Sequence, residues 1–423
     1  MANPRLLCAK IAQQILEEKI FFGDLKKQIP EKDLPFCNML ILTMLRRLQA
    51  VRHILNKFLS KKIPHKHRLA EYLLWVAITE ILYMQTAEYA VINETVKSIR
   101  GNCDKFLGGL ANAVLRKVCA QKATLQKAAE TISALPDTFK EILQGYTADE
   151  IAQIEQSVSA IPALDITVKS DPQKWAEKLN ADILPNGSLR LYNPPKIQTL
   201  PEYNAGEWWV QDAAASLPVM VMGDIKGKKV IDLCAAPGGK TAQLAARGAE
   251  VTALDISADR LEILRQNMQR LGFDNIRTTA TDALEFLRES PPEFDAILLD
   301  APCSATGTFR RHPEVLHIKT VNDVKEQAAL QKSLLEACHA GLKIGGILVY
   351  SVCSVSKEEG EKQVAAFLQT NHNFRLIQIN EAEISAYGQW DKSPLLPDGT
   401  IRTLPYYQNG TDSFFICKLQ RII

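Results

Sequence analysis

Two cysteines lie in short segments whose residue types are suited to chemistry. Cys303 occurs in DAPCSATGTFRRHPE, three residues after Asp300 and directly after a proline. Cys353 occurs fifty residues later, in YSVCS, at the end of an apolar run. A thiol that loses its proton is a strong nucleophile. An acid, a rigid proline and two thiols together predict a site where a flat heterocycle is held against a sulfur nucleophile. The other cysteines are interpreted as core residues, although only weakly so for Cys234.

A second segment, VIDLCAAPGGKTAQLA at residues 230–245, combines an apolar run, a loop of small residues and the start of a helical pattern. Small residues let the backbone approach a ligand, and free amides at a helix start attract carboxylate or phosphate groups. The spacing matches neither the dinucleotide G-x-G-x-x-G nor the phosphate loop G-x-x-x-x-G-K-[ST]. We predict a nucleotide-type binding loop, with a plain strand-to-helix turn as the alternative.

Acidic residues close three successive predicted strands: Asp255 in VTALD, Asp282 in IRTTATD and Asp300 in FDAILLD. An acid at the end of the second strand is placed to hold ribose hydroxyls, and one after the third to accept from an adenine amine. Together they fit S-adenosylmethionine. The alternative for a single acid is a helix cap, which Asp255 before SADRLEIL would provide. The predicted cofactor-binding residues are Cys234, Ala235, Ala236, Pro237, Gly238, Gly239, Lys240, Asp255, Arg260, Asp282 and Asp300.

These residues need a scaffold that brings strand ends together. From residue 206 onward, apolar β-rich runs alternate with amphipathic helical patterns, which predicts a parallel sheet covered by helices. Ligands of such sheets bind outside the carboxyl ends of the strands, so both cysteines should face one crevice. From Leu6 to Lys122 the apolar spacing is helical, with breaks at Pro30 and Pro64. We therefore divide the chain into a helical domain (1–135), a helical connector with a small α+β insert (136–205) and an α/β domain (206–423).

Composition indicates an ordinary globular protein, with 46% hydrophobic and 23% charged residues in 423. No apolar run reaches membrane-spanning length, and Lys10, Glu17 and Glu18 interrupt the first run, unlike a secretory signal. The nine cysteines form no C-x-x-C pair, so we expect reduced thiols, no metal and a cytoplasmic location. Residues 1–135 carry 21 Lys and Arg against 11 Asp and Glu, whereas the remainder carries 29 against 37. This asymmetry indicates a polyanionic partner for the first part, or simply a Lys-rich solvated surface.

Two resemblances follow from these segments. YAVINETVKSIRGNCDKFLGGLANAVLRKV resembles the closing helices of NusB, a small helical RNA-binding antitermination factor. DLCAAPGGK, DAPCSATGTFRRHPE and the Cys353 strand resemble the RNA 5-methylcytosine methyltransferases of the Nol1/Nop2/Sun family, as does Gly206–Asp212. The combination is similar to bacterial members that act on small-subunit ribosomal RNA. It implies a multidomain fold: an all-α NusB-like domain, a small α+β insert and a C-terminal α/β Rossmann-like class I methyltransferase domain.

The resemblance also implies roles for single residues. Cys353 would attack carbon 6 of cytosine so that carbon 5 takes a methyl group from S-adenosylmethionine, and Cys303 would assist release. Asp300 would bind the ring, either protonated towards N3 or ionised towards the exocyclic amine. Lys240 would keep a thiolate or Asp300 ionised, or contact the cofactor. The implied partner is small-subunit (16S) ribosomal RNA, bound by a monomer without membrane or metal.

The sequence departs from the family pattern at three places. Val352 replaces a usual threonine before the second cysteine, and Asp165–Val168 lacks the usual Arg and Asn of the insert's first strand. Ser413 stands in place of a glycine before the last strand. Other functions considered are a cytosine-5 methyltransferase of another RNA, a DNA cytosine methyltransferase that attacks through the Pro-Cys thiol, and an RNA-binding antitermination-like factor with a vestigial methyltransferase domain. A nicotinamide dehydrogenase would require the missing G-x-G-x-x-G.

Overall fold

The computed structural model describes residues 3–289 and 291–423. It divides into two compact units. The first contains the chain up to Glu141, residues Ala148–Ala160 and the segment Phe309–Thr320; the second contains Ile142–Thr147, Ile161–Thr308 and Val321–Ile423. Within the described residues, every helix is too short or too polar to cross a membrane. The predicted boundaries at residues 135 and 205 stay predictions.

The first unit is built from helices around one apolar core. Helix α5 is buried on nearly all sides, as expected of an apolar segment such as LLWVAITEIL at the centre of a bundle. Asn3 and Asp104 cap α1 and α7 by accepting hydrogen bonds from backbone N–H groups. The predicted helical pattern from Leu6 to Lys122 is confirmed. The helices are α1 (Pro4–Glu18), α2 (Phe22–Leu25), α3 (Leu34–Arg46), α4 (Leu48–Phe58), α5 (Arg68–Tyr83), α6 (Glu88–Asn102), α7 (Lys105–Ala120), α8 (Lys122–Ala129), α9 (Asp137–Lys140) and α10 (Ala148–Val158).

The segment Phe309–Thr320 belongs to the first unit although it follows the Pro-Cys loop in sequence. The Phe309 ring packs edge-on against Phe139 at 5.9 Å, and Arg46 donates to the Arg310 carbonyl at 2.9 Å. The Arg310 side chain is only 3% exposed, although it lies beside Arg311 and His312 in the sequence. Packing against neighbouring side chains therefore decides the placement of the segment, which a run of basic residues does not reveal.

A small sheet lies in the second unit. The predicted α+β insert contains β1 (Leu164–Val168), α11 (Pro172–Leu179) and β3 (Leu189–Leu191). Two further strands, β2 (Asp182–Ile183) and β4 (Trp208–Val210), complete an antiparallel sheet of order β2-β3-β1-β4. Asp165 of β1 belongs to the segment Asp165–Val168 that departs from the family pattern. It forms a buried ion pair with Arg190 through two hydrogen bonds of 2.6 and 2.7 Å.

The main sheet has the strand order β10-β12-β9-β8-β5-β6-β7, with β11 paired to β12. Strands β5, β6, β7, β8 and β9 are parallel, as predicted. Strand β12 runs antiparallel to β9 and β10, so the sheet is mixed and the predicted parallel arrangement does not extend to this edge. Periodicity reports which residues are buried and not the direction in which a strand runs. The strands are β5 (Lys229–Leu233), β6 (Glu250–Asp255), β7 (Arg277–Ala280), β8 (Phe294–Asp300), β9 (Leu342–Val352), β10 (Phe374–Ile377), β11 (Ile401–Arg402) and β12 (Phe415–Arg421).

Apolar clusters cover this sheet on both faces. Alternate residues of β8 enter different clusters, Ile297 and Leu299 one and Ala296 and Leu298 the other, as the two-residue period of a strand requires. The helices of this part are α12 (Ala213–Met220), α13 (Gly239–Ala246), α14 (Ala258–Arg270), α15 (Ala283–Glu289), α17 (Val321–Gly341) and α18 (Glu361–Thr370); α16 (Val315–Ile318) lies in the first unit.

Candidate active site

The two cysteines predicted to carry the chemistry lie side by side. Cys303 is on the loop after β8, and Cys353 directly follows the last residue of β9. Their Sγ atoms are 3.2 Å apart, and both residues are half-buried. Because β8 and β9 are parallel neighbours, their carboxyl ends carry these loops to the same edge of the sheet. The structure thus brings together the two thiols that the sequence placed in one crevice.

The loop that carries Cys303 also crosses the backbone at Cys353. Gly307 donates its N–H to the Cys353 carbonyl at 3.0 Å and accepts from the Ser413 N–H at 2.9 Å. A Cβ atom on residue 307 would lie 2.1 Å from the Ser413 carbonyl oxygen. Only glycine permits this approach, so residue 307 sets the spacing of the two cysteine loops.

Asp300 is the last residue of β8, and both of its carboxylate oxygens are hydrogen-bonded. Lys240 Nζ lies 2.7 Å from one oxygen, and Ser351 donates to the other at 2.8 Å. Burial lowers the pKa of Lys240, but the charge and hydrogen bond of Asp300 outweigh it and leave this pKa above its ordinary value. Lys240 is therefore an ammonium at neutral pH. Among the contacts suggested for Lys240, the structure shows the one with Asp300.

The pKa of Cys303 is raised well above its ordinary value. The largest cause is its hydrogen bond with Cys353, followed by burial and by negative charge on Cys353 and Glu359. Cys303 therefore keeps its proton at neutral pH, and this proton is available for a hydrogen bond to the Cys353 sulfur.

The small-residue loop between β5 and α13 is the predicted cofactor loop. Its backbone is left-handed at Cys234 (φ 64°) and Gly238 (φ 104°). The Ala235 N–H donates to the Leu254 carbonyl at 2.7 Å, which ties the loop to β6. Gly238 is required because its backbone is left-handed and a Cβ there would lie 3.0 Å from Leu264. Burial, followed by the charges of nearby aspartates, raises the pKa of Cys234 to about 12, so this thiol stays protonated.

Asp255 ends β6 and holds the cofactor loop through its buried carboxylate. It accepts from the N–H groups of Ala236 at 3.2 Å and Ser257 at 3.0 Å, and Arg260 lies 3.2 Å away as an ion pair. Ser257 is the N-cap of α14, because its hydroxyl accepts from the Arg260 N–H. The alternative in which Asp255 caps this helix is therefore wrong. Arg260 also donates to the Ala236 carbonyl, so the residue contacts the loop as well as the acid.

Asp282 performs the capping that was considered for Asp255. It lies two residues beyond β7, and one carboxylate oxygen accepts from the N–H groups of Leu284 and Glu285 at 2.8 and 3.1 Å. Its side chain nevertheless lines the same cavity as Asp255.

This cavity has a volume of about 120 Å³. Ile256 and Leu330 are 72% and 38% exposed and supply aliphatic walls beside the carboxylates. Apolar walls with a few polar groups suit a nucleoside, which has a flat base with an amino group and a sugar with hydroxyl groups. The sequence analysis missed these walls; for Ile256 the signal was an apolar residue directly after Asp255. The lining residues are Cys234, Leu254, Asp255, Ile256, Arg260, Thr281, Asp282, Ala283, Pro302, Leu330 and Leu334.

Three residues of the predicted loop face a different cavity. Residues 237–239 line a space of about 250 Å³ together with Trp209 and Arg270. The structure therefore divides the predicted cofactor loop between two cavities, with Cys234 in the first and its glycines in the second.

A buried acid behind the loop was not singled out from the sequence. Asp232 lies within β5 and is 1% exposed. Thr241 donates to one of its oxygens at 2.6 Å, and among the described residues the other oxygen has no hydrogen-bond partner. Burial raises the pKa of Asp232 to about 7.

Known proteins resemble both parts of the chain. A family model described as 16S rRNA methyltransferase RsmB/F matches residues 219–420, and the NusB family model matches residues 2–120. Proteins named ribosomal RNA small subunit methyltransferase B are 32% identical in Citrobacter koseri and 31% identical in Yersinia pestis bv. Antiqua. Each alignment covers 99% of this chain and 98% of the relative. This chain belongs to the ribosomal RNA small subunit methyltransferase B family.

The fold of this methyltransferase B family member also occurs in a solved structure, that of the protein PH0851. The two share a TM-score of 0.77 and 22% identity, over 100% of this chain and 99% of the other. The predicted family, the NusB-like start and the Rossmann-like methyltransferase fold are confirmed. The catalytic and cofactor-binding roles of individual residues stay predictions.

Proposed function

We propose that this chain transfers a methyl group from S-adenosylmethionine to carbon 5 of a cytosine in 16S small-subunit ribosomal RNA. The observation that carries the proposal is the 3.2 Å separation of the Cys303 and Cys353 sulfur atoms. These thiols lie at the edge of the sheet where strand β8 ends with Asp300. The names of the matching family model and of the relatives support ribosomal RNA as the substrate.

Cys353 is assigned as the nucleophile. Carbon 5 of cytosine is a poor nucleophile, so the ring must first be activated by a covalent bond. The Cys353 thiolate adds to carbon 6, and the electron pair of the ring double bond moves to carbon 5, which takes up the methyl group. Carbon 5 then loses its proton to water, the carbon–sulfur bond breaks and the thiolate is regenerated.

Cys303 is assigned to release. Because its raised pKa keeps its proton in place, Cys303 is able to donate a hydrogen bond to the Cys353 sulfur 3.2 Å away. The donated bond stabilises negative charge on that sulfur as it leaves carbon 6. Without Cys303 the addition still occurs, but the departing thiolate loses this stabilisation.

Asp300 is assigned to the ring. Its ion pair with Lys240 favours the accepting role, towards the exocyclic amine of cytosine, over donation to N3. Ser351 and Lys240 fix the direction of the carboxylate, so the ring would be oriented by a group that does not have to reorganise during the reaction.

The donor of the methyl group fits the residues at the first cavity. Asp255 and Asp282 offer oxygens for hydroxyl and amino groups, and Ile256 and Leu330 offer aliphatic walls for a purine. S-adenosylmethionine supplies an electrophilic methyl group when bound. Cys234 borders the same cavity and, being protonated, adds no competing nucleophile.

The basic helical unit is assigned to RNA binding. Residues 1–135 carry ten more basic than acidic residues, and this excess of positive charge favours binding to the phosphate backbone of RNA. A base paired inside a helix is out of reach of the thiols, so we expect a target that is unpaired or flipped out. We expect the protein to act as a monomer in the cytoplasm.

The proposal is tested with S-adenosylmethionine labelled in its methyl group and unmodified 16S ribosomal RNA, free and in small-subunit particles. The wild type should place label in 5-methylcytosine, and Cys353→Ala should place none. Cys119→Ala, which removes a half-buried thiol from the helical unit, serves as the control and should behave as the wild type. Label in another nucleoside, or full transfer by Cys353→Ala, would contradict the proposal.

A further inference from the structure

A fully buried carboxylate lies close to the two thiols, and so far only its charge, which helps to raise the pKa of Cys303, has been described. Glu359 lies in the turn between Cys353 and α18, with 0% exposure. Its oxygens accept four hydrogen bonds. One oxygen accepts from the Ser304 N–H at 2.8 Å and from Gln331 at 3.0 Å. The other accepts from the hydroxyls of Ser304 and Ser354, each at 2.5 Å. Burying a charged carboxylate costs free energy, and it is tolerated only when hydrogen bonds such as these satisfy its oxygens.

Three of the four hydrogen bonds to Glu359 come from the residues that directly follow the two cysteines. Ser304 follows Cys303 on the loop after β8, and Ser354 follows Cys353 after β9. One carboxylate therefore bonds to both cysteine loops, one residue away from each sulfur. The 3.2 Å contact between the sulfurs spans the same two loops that Glu359 ties together.

Neutral hydrogen bonds extend this connection. Thr306 contacts the hydroxyls of Ser304 and Ser354, each at 2.9 Å. Gln331 of α17 donates to the carbonyl of Pro302, the residue before Cys303, at 2.9 Å. Thr306 bridges the two serine hydroxyls, and Gln331 holds the Cys303 loop. Glu359 supplies the carboxylate oxygens that accept hydrogen bonds from both cysteine loops.

We propose that Glu359 is a positioning residue that holds the sulfur atoms of Cys303 and Cys353 at the spacing needed for methyl transfer. The inference rests on the proposed function, because the two thiols are the groups that this function uses. Glu359 acts through Ser304 and Ser354. Its hydrogen bonds go to Ser304, Ser354 and Gln331 and to neither cysteine sulfur among the described residues, so its role is to position the loops.

The substitution Glu359→Gln tests the charge and the acceptors at nearly constant volume. A carboxylate accepts at both oxygens, but an amide accepts at one oxygen and donates at its nitrogen. At least one of the four donors therefore loses its partner. The neighbour Glu358 offers a matched control, because it is exposed and pairs with Lys362 on the surface at 2.5 Å. Glu358→Gln makes the same chemical change and leaves both serine contacts in place.

The first measurement needs no RNA. Diamide, an azo oxidant, takes two electrons and two protons from a thiol pair, and the disulfide between Cys303 and Cys353 is quantified by alkylation and mass spectrometry of the full chain. Glu359→Gln should form this disulfide at least about tenfold more slowly than Glu358→Gln, because misplacement by a fraction of an ångström is costly for such a reaction. Equal rates in the two variants would overturn the inference.

The second measurement is single-turnover methyl transfer well below the melting temperature of each variant. Glu359→Gln should lower the rate constant at least about tenfold with the affinity for S-adenosylmethionine unchanged, a split that general unfolding would not produce. A wild-type rate in Glu359→Gln would overturn the inference. If that variant fails to fold, Ser304→Ala and Ser354→Ala, which each remove one donor, must both slow disulfide formation for the inference to stand. If the wild type transfers no methyl group to RNA, the proposed function fails, and the disulfide comparison still decides whether Glu359 holds the sulfurs.

Discussion

The Sγ atoms of Cys303 and Cys353 lie 3.2 Å apart although fifty residues separate them in the chain. The loops that carry them are joined where the Gly307 N–H donates to the Cys353 carbonyl at 3.0 Å. The spacing of the sulfurs therefore depends on a close approach of two loops as well as on the cysteines themselves, and residues without any reactive group should control the reaction.

Gly307→Ala tests this dependence. The added methyl group would lie 2.1 Å from the Ser413 carbonyl oxygen, so the loops must move apart, at a cost of about 1 to 3 kcal/mol in stability. Methyl transfer should fall more steeply than the affinity for S-adenosylmethionine. Gly109→Ala is the control, since no atom lies within 4 Å of the added group in helix α7, and it should not reduce activity. Wild-type transfer by Gly307→Ala would show that the crossing does not set the thiol geometry.

Asp232 should make the stability of the second unit depend on pH. Burial raises its pKa to about 7 from an ordinary value of 3.8, so the folded state retains a proton that the unfolded state releases. Stability should therefore fall as pH rises from about 4 to 7 and be flat above, with a loss of about 2 to 3 kcal/mol between pH 5 and pH 8. Asp232→Asn should lack this loss. The measurement is the melting temperature of both proteins across that range, and parallel curves would contradict the assignment.

Asp255→Ala should weaken S-adenosylmethionine binding by about 1 to 3 kcal/mol, because ligand hydroxyls would lose their acceptor and the Ala236 N–H its partner. Calorimetry of the full chain gives the affinity. The exposed Asp259 on the following helix is the matched control, and Asp259→Ala should bind as the wild type does. An unchanged affinity in Asp255→Ala would remove this acid from the site.

The helical unit should contribute salt-dependent RNA affinity. Residues 34–70 contain eight Lys and Arg and no Asp or Glu, and Lys61 and Lys62 are exposed between α4 and α5. Replacing both by alanine should reduce the slope of log affinity against log salt by about 1.4 to 1.8. The matched control replaces Lys226 and Lys228, which are exposed just before β5, at the end of the strand opposite the site. Equal slopes in both double variants would mean that the basic surface is only solvated.

Substitution is a sharper test here than deletion of residues 1–135. Ile318, from the segment that follows the Pro-Cys loop, is 3% exposed within the core of the helical unit. Deleting that unit would expose an apolar residue of the remaining chain, so a loss of RNA affinity would not report on charge alone.

The sequence predicted the helical unit and the strand ends well because both rest on periodicity. Asp255 and Asp300 close strands as expected, since each ends a mainly apolar segment. The reversal of β12 was missed, because burial patterns carry no direction. The place of segment Phe309–Thr320 in the first unit was not predicted, because the segment follows the Pro-Cys loop in sequence and mixes charged residues with the apolar ones that pack in the core.

The site was predictable to the level of its reactive residues and no further. Cys303 and Cys353 were found because each lies at a strand end beside polar small residues. The role of Gly307 and the bonds of Glu359 depend on contacts between loops distant in sequence, which local residue types do not encode. Asp232 was missed for a similar reason, since its burial follows from the packing around β5.

The most direct test of the assigned chemistry is denaturing electrophoresis of the protein after incubation with S-adenosylmethionine and unmodified 16S ribosomal RNA. Cys303→Ala should still attack and methylate but fail to release, leaving a protein–RNA species that survives denaturation. Cys353→Ala should form no such species and transfer no methyl group, because no thiolate then reaches carbon 6. A trapped species in Cys353→Ala that is absent in Cys303→Ala would contradict the account and make the Pro-Cys thiol the nucleophile.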